Sequence, residues 1–242
     1  MSDWLIGFDT STPRMLVVLG RPAIPDQQPH GRVLDTGANQ ASSELVPAIE
    51  AMLSAAGLER SVVSAVACGC GPGTFTGTRV AIATAMGLAL GLAARVYPLS
   101  TLATLAASTD RDGVVWAMLD ARRGEVYAAP FRCEDGHVTP LREPVCATMD
   151  RVIREYGDEF VPDHLVGTPV ELYTDTLPHA WRARAHVGHG PSTVGLWRAI
   201  LSCVATTEPI DPAQLRPTYL RESYAEMGLN KPKRPVTHSP FV

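Results

Sequence analysis

Two short turns carry residue types suited to chemistry on a phosphate. Asp9-Thr10-Ser11 ends one apolar run, and Asp120-Ala121-Arg122 ends another. Backbone N–H groups in such a turn can face a phosphate, and an aspartate can hold a hydrated Mg²⁺. Aspartate also sits in turns for a local reason, because it accepts from the N–H two residues on. A third candidate is the stretch CGCGPGTFTGTRVAIATAMGLALGL, from Cys68 to Leu92. Gly73 and Gly77 are wrongly spaced for G-x-x-x-x-G-K-[ST], and Arg79 does not replace its lysine. Gly69 and Gly71 begin G-x-G-x-x-G, but Thr74 fills the third place. The strand–loop–helix order leaves N–H groups near Thr76 and Arg79 open to a weak anion contact only.

Composition excludes several mechanisms. Of the 21 basic residues only Lys231 and Lys233 are lysine, both near the C-terminus. The first 230 residues therefore offer no Schiff-base lysine and no kinase-type phosphate lysine. No histidine lies between residues 31 and 136, so the first half lacks an obvious general base. His186 and His189 sit in HVGHG with no glutamate between them, a poor metal pattern, and no G-x-S-x-G elbow occurs. The five cysteines, 68, 70, 133, 146 and 203, form no zinc-type pairs and suggest reduced, cytosolic thiols. A net charge of −4 gives no reason for direct binding to nucleic acid or anionic membrane. The N-terminus MSDWLIGFD has no secretory signal pattern.

These residues need strands and helices to hold them. DWLIGFDTS and RMLVVLG read as a hairpin, and GRVLDTG as a third strand. SSELVPAIEAMLSAAGL reads as a helix capped by Ser42 or Ser43 and stopped by Gly57, with Pro47 near its first turn. SVVSAVACGCG is a doubly buried strand, and the glycine-rich helix follows it. After VYPLS and TLATLAAS, GVVWAMLDARRGEVYAAPFR starts the pattern again with a second hairpin and a second Asp turn. The repeat predicts two similar α/β lobes with mixed sheets flanked by helices. The lobes are expected at 1–108 and 109–229, with a flexible, proline-rich tail at 230–242.

The glycine-rich helix is apolar all round from Val80 to Ala94, broken only by Thr84. Fifteen residues fall short of the roughly 20 that span a bilayer, so no membrane role is expected. Ala83, Gly87 and Gly91 follow i, i+4 spacing and form a groove of small side chains. Val80, Thr84, Leu88 and Leu92 form the adjoining ridge. A helix of this kind must be covered on every face. The preceding helix supplies some cover through Leu45, Ile49, Met52 and Leu53, and a partner protein is expected to supply the rest.

The sequence resembles the TsaB (YeaZ) family of bacterial tRNA threonylcarbamoyladenosine proteins. The resemblance rests on GFDTST at 7–12, SELVPAIEAML at 43–53, GPGTFTGTRVAIATAMGLALG at 71–91, PLSTLATLA at 98–106 and LDARRGEVYAA at 119–129, with a fainter match in PTYLR at 217–221. It implies duplicated actin-like ATPase (ribonuclease H-like) domains. It also implies a non-catalytic, cytoplasmic subunit that needs no cofactor or metal of its own. Such a subunit pairs with a TsaD-type catalytic subunit, is joined by a TsaE-type ATPase, and forms a homodimer when alone. It meets tRNA only through the complex, which modifies adenosine 37 of tRNAs reading codons that begin with A. The implied partner surface takes Leu45, Ile49, Met52, Leu53, Thr76, Arg79, Val80, Ala83, Thr84, Gly87, Leu88 and Gly91, and the two Asp turns are relics of a phosphate site. The chain departs from the family in lacking a histidine before SELVP. The rival expectation is a small kinase of the same fold, with Asp9 and Asp120 around Mg·ATP.

Overall fold

In the computed structural model, residues 3–24, 27–35 and 40–221 are described. The tail expected at 230–242 lies outside them. The chain opens with β1 (Trp4–Asp9), β2 (Arg14–Gly20) and β3 (His30–Asp35), then α1 (Ala41–Ala55), β4 (Val63–Gly69), α2 (Phe75–Leu92), β5 (Arg95–Leu99) and α3 (Thr101–Ala107). The five strands form one sheet in the order β3-β2-β1-β4-β5. β1, β2 and β3 pair antiparallel, while β4 pairs parallel with β1 and β5.

The second half repeats this plan. It runs β6 (Gly113–Arg122), β7 (Glu125–Glu134), β8 (His137–Pro140), β9 (Val145–Thr148), α4 (Met149–Tyr156), β10 (His164–Val166), α5 (Thr168–Leu172), α6 (His179–Arg182), β11 (Ala185–His186) and α7 (Thr193–Thr206). Its sheet order is β11-β10-β6-β7-β8. The third strand is split, because β8 pairs with one end of β7 and β9 with the other. With that allowance the two sheets share one topology. Asp9 faces Leu16 across the first hairpin, and Asp120 faces Val126 across the second, so the two aspartates occupy equivalent places.

α1 begins at Ala41 with Gln40 as its cap, not at the predicted serines; Ser43 Oγ donates to Gln40 O instead. Pro47 consequently sits in the second turn. Its end is as read: Gly57 takes φ +66°, and Leu58 N donates to Leu53 O at 2.9 Å. α1 and α2 cover the outer face of the first sheet, where Ile6, Phe8, Met15, Val17 and Val66 meet Leu45, Ile49, Ala81 and Ala85. The α4–α6 side covers the outer face of the second sheet through Met149, Val152, Val170 and Trp181.

Between the sheets lie α3 and α7, each serving the other half. α3 follows β5 in the first half, yet Leu102, Leu105 and Ala106 pack on Val115, Ala117, Ala129 and Phe131 of the second sheet. α7 closes the second half, yet Leu196, Trp197 and Ile200 pack on Leu5, Leu16, Val18, Ala65 and Tyr97 of the first. Gly195 lets the two helices touch, since a Cβ there would meet Ser108 Oγ and Thr104 O. The chain then returns to the first half: Ile210 N donates to Val96 O, and Leu215 is buried in the first core.

Candidate functional site

The glycines of the opening stretch admit the first Asp turn. A Cβ on Gly69 would overlap the Asp9 carboxyl, one on Gly73 the Ser11 carbonyl, and one on Gly77 the Thr10 carbonyl. Hydrogen bonds fill these close approaches. Thr10 Oγ1 donates to Gly77 O at 2.6 Å, Thr74 N to Ser11 O at 2.7 Å, and Thr78 Oγ1 to Ser11 Oγ at 3.2 Å. The first turn is thereby locked to the N-terminus of α2. Gly69, Gly73 and Gly77 thus serve the close packing of the first Asp turn against the end of β4 and the start of α2.

A cleft of about 990 Å³ opens between the lobes. Ser11 and Thr12 line one wall, and Asp120, Ala121 and Arg122 the other. Asp9 and Thr10 do not reach it, which leaves the rival kinase arrangement of Asp9 and Asp120 around Mg·ATP without its first aspartate. Asp9 is 3% exposed, its Oδ1 accepts from Ser11 N at 2.8 Å, and its carboxyl fills the space over Gly69. Asp120 Oδ1 accepts from Arg122 N, also at 2.8 Å. Both aspartates therefore satisfy the turn that bears them. Burial pushes the Asp9 carboxyl above the usual carboxylate range, against the opposing bond from the Ser11 N–H. The Thr101 hydroxyl is near enough to act on that carboxyl electrostatically. It forms no well-aligned hydrogen bond to it, so Asp9 Oδ2 and Thr101 Oγ1 are both buried without a partner among the described residues.

Charges in the cleft are largely matched. Arg14 pairs with Asp35 at 3.3 Å, Arg221 with Glu125 at 3.2 Å, and Arg122 lies 3.6 Å from Asp120. Glu171 accepts from Gly188 N. His189 lines the cleft, while His186 turns away and bonds His164 ring to ring at 2.9 Å. All five cysteines are free thiols. Cys68 and Cys70 are buried with their sulfurs 3.8 Å apart, and the Cys70 contact and burial hold the Cys68 thiol well above the usual range.

The predicted partner residues separate by helix. Leu45, Ile49, Met52 and Leu53 of α1 point inward and belong to the first core. On α2, Thr76, Arg79, Ala83, Gly87 and Gly91 are exposed, and Val80, Thr84 and Leu88 are half-buried. A Cβ at Gly87 or Gly91 would meet nothing within 4 Å. Leu90, not singled out from sequence, is 76% exposed on this helix. The remaining face, with Ala81, Ile82, Ala85 and Ala89, packs on the sheet. α2 is the one described helix long and apolar enough to cross a membrane, and it lies against β4 with a third of its residues buried.

Sequence reasoning made nothing of residues 208–221 beyond a family echo at 217–221. They run over α2 and across the cleft mouth. Thr218 N donates to Cys70 O, Tyr219 stacks on Phe75 at 5.5 Å, and Arg221 reaches Glu125 in the second lobe.

Comparison with known proteins agrees with this architecture. An uncharacterised protein with similarity to peptidase YeaZ from Pseudomonas aeruginosa is 29% identical, over 91% of this chain and 100% of that one, with a TM-score of 0.79. YeaZ from Pseudomonas aeruginosa is 26% identical over the same shares, with a TM-score of 0.73. A search of curated protein sequences gives no match. The sequence model of TsaD, tRNA N6-adenosine threonylcarbamoyltransferase, matches residues 27–170. That span exceeds half of the chain, and with the YeaZ likeness along nearly its whole length it shows that the chain belongs to the TsaD family, in its YeaZ/TsaB branch.

Proposed function

We propose that the chain is the non-catalytic subunit that binds and supports a TsaD-type catalytic subunit during N6-threonylcarbamoylation of adenosine 37 in tRNAs reading codons that begin with A. The observation that carries this reading is the outer face of α2, where Ala83, Gly87, Leu90 and Gly91 stand exposed on an apolar helix. Small side chains let a second helix approach closely, and apolar area left open in this way favours association. The α1 residues brace the helix from beneath. The same face serves a second copy of the chain when the catalytic subunit is absent. A TsaE-type ATPase joins the pair, tRNA is met through the assembly, and the setting is the cytoplasm. The matched charges of the cleft support a role other than phosphate transfer.

Gly87→Arg tests this directly. The new side chain enters open space, so the isolated chain keeps its fold. In a docked complex the guanidinium would be buried unpaired, which costs several kcal/mol. Size-exclusion chromatography with the TsaD-type subunit should show no complex. A normal complex would sink the assignment.

A further inference from the structure

We propose that Arg79, held by Phe75 and Tyr219, is a specificity-determining anchor that receives a carboxylate from the partner's docking helix. This rests on the reading of α2 as the partner face. Arg79 is the only charged residue of α2. Its guanidinium carbon lies 3.7 Å over the centre of the Phe75 ring, and its Nε donates to Tyr219 Oη at 2.8 Å. Phe75 and Tyr219 stack on each other, 19° from parallel, although they are 44% and 45% exposed. The guanidinium is thus fixed in plane and direction at the surface, one helical turn from Ala83 along the exposed stripe. Among the described residues no carboxylate forms an ion pair with it; its contacts are Phe75 and Tyr219.

An arginine held in this way is prepared for a two-pronged bond. Its Nη1 and Nη2 remain for an acceptor, and a planar fork with its Nε already tied loses little further freedom on binding. A carboxylate is the acceptor with the matching charge and geometry. The same three side chains give the strap at 217–221 a purpose: Thr218 ties it to Cys70 and places Tyr219 against Arg79. The partner surface therefore extends from α2 onto the C-terminal strap, and the catalytic subunit should bring an acidic side chain beside its apolar docking ridge.

The test uses the full chain and its TsaD-type subunit, with affinity measured by calorimetry at low and moderate salt. Arg79→Glu should weaken the complex at least tenfold, and Tyr219→Phe, which removes only a hydroxyl, about threefold. The isolated variants should melt like the wild type, and Arg79→Glu should reverse the salt dependence of binding, since salt screens the new repulsion between two carboxylates. Gly87→Arg is measured alongside. If Gly87→Arg abolishes the complex but Arg79→Glu and Tyr219→Phe bind as tightly as wild type, the anchor is wrong and the partner face stands. If all three bind normally, the partner face itself is wrong. Glu222→Gln with Glu226→Gln in the full chain tests an internal occupant; tighter binding of the partner by that variant would show that the chain's own acids hold Arg79, and would overturn the proposal.

Discussion

Two glycine-to-alanine changes in α2 should have opposite effects on stability. In an exposed helix interior the substitution usually gains roughly 0.5–1 kcal/mol, because the unfolded chain loses conformational freedom. Gly87 meets these conditions, since a Cβ there finds only open space. Gly77 does not. A Cβ there would lie 1.9 Å from Thr10 O and 2.6 Å from Thr74 Oγ1. The Thr10 carbonyl would have to retreat by more than about 1 Å to reach an ordinary contact, and it belongs to backbone rather than a flexible side-chain end. That retreat pulls on the 2.6 Å bond from Thr10 Oγ1 to Gly77 O and the 2.7 Å bond from Thr74 N to Ser11 O. Each such bond is worth about 0.5–1.5 kcal/mol net, and a buried group left unpaired costs about 1–3. Set against the helix gain, Gly77→Ala should destabilise by about 2–3 kcal/mol. Urea unfolding of the isolated chain, with unchanged denaturant slopes, measures both. Gly87→Ala should also weaken the complex with the catalytic subunit several-fold, because its methyl enters the helix–helix groove. A Gly77→Ala variant as stable as wild type would refute the account of how the Asp9 turn is locked to α2.

Two further outcomes follow from the aspartate turns. The folded-state pKa of Asp9 is raised by burial, so its stabilising contribution is complete below the ordinary carboxylate range and is lost as pH rises through the raised value. Asp9→Asn keeps an acceptor for Ser11 N and offers an N–H₂ to Thr101; its stability advantage should grow over that window and then level off, and parallel pH–stability curves would contradict this. With both turns internally satisfied and Asp9 outside the cleft, Mg·ATP should bind the isolated chain only on the order of millimolar, roughly 4 kcal/mol. Micromolar affinity by calorimetry, lost in Asp120→Asn, would restore the cleft as a working nucleotide site.

The features written in local pattern could be read from sequence. The hairpins, the Gly57 stop and the β4–α2 unit follow from alternation, turn residues and helical spacing, and the repeated Asp turn announced the duplication. The type of Asp9 suits a cleft or a local turn equally well; only Gly69, 60 residues away, shows that its carboxyl is stored over the strand end. Met52 and its α1 neighbours repeat at helical spacing whether they face a core or a partner, so spacing alone could not orient them. Leu196, Trp197 and Ile200 of α7 also follow helical spacing, behind a Ser192 cap whose side chain accepts from Gly195 N. Their destination on the first sheet is a tertiary fact across more than 90 residues, which no local pattern encodes.

The crossing of α3 and α7 has a consequence during synthesis. When the ribosome has released residue 107, every strand of the first sheet is present, but Leu5, Leu16, Val18, Ala65 and Tyr97 still await α7. At about 5–20 residues per second, that apolar face stays bare for some 5–20 seconds until residue 206 emerges. The nascent chain thus holds a half-finished sheet with an open hydrophobic side, the kind of surface a chaperone binds. A stop codon anywhere before α7 would release a product that cannot cover the inner face of its first sheet.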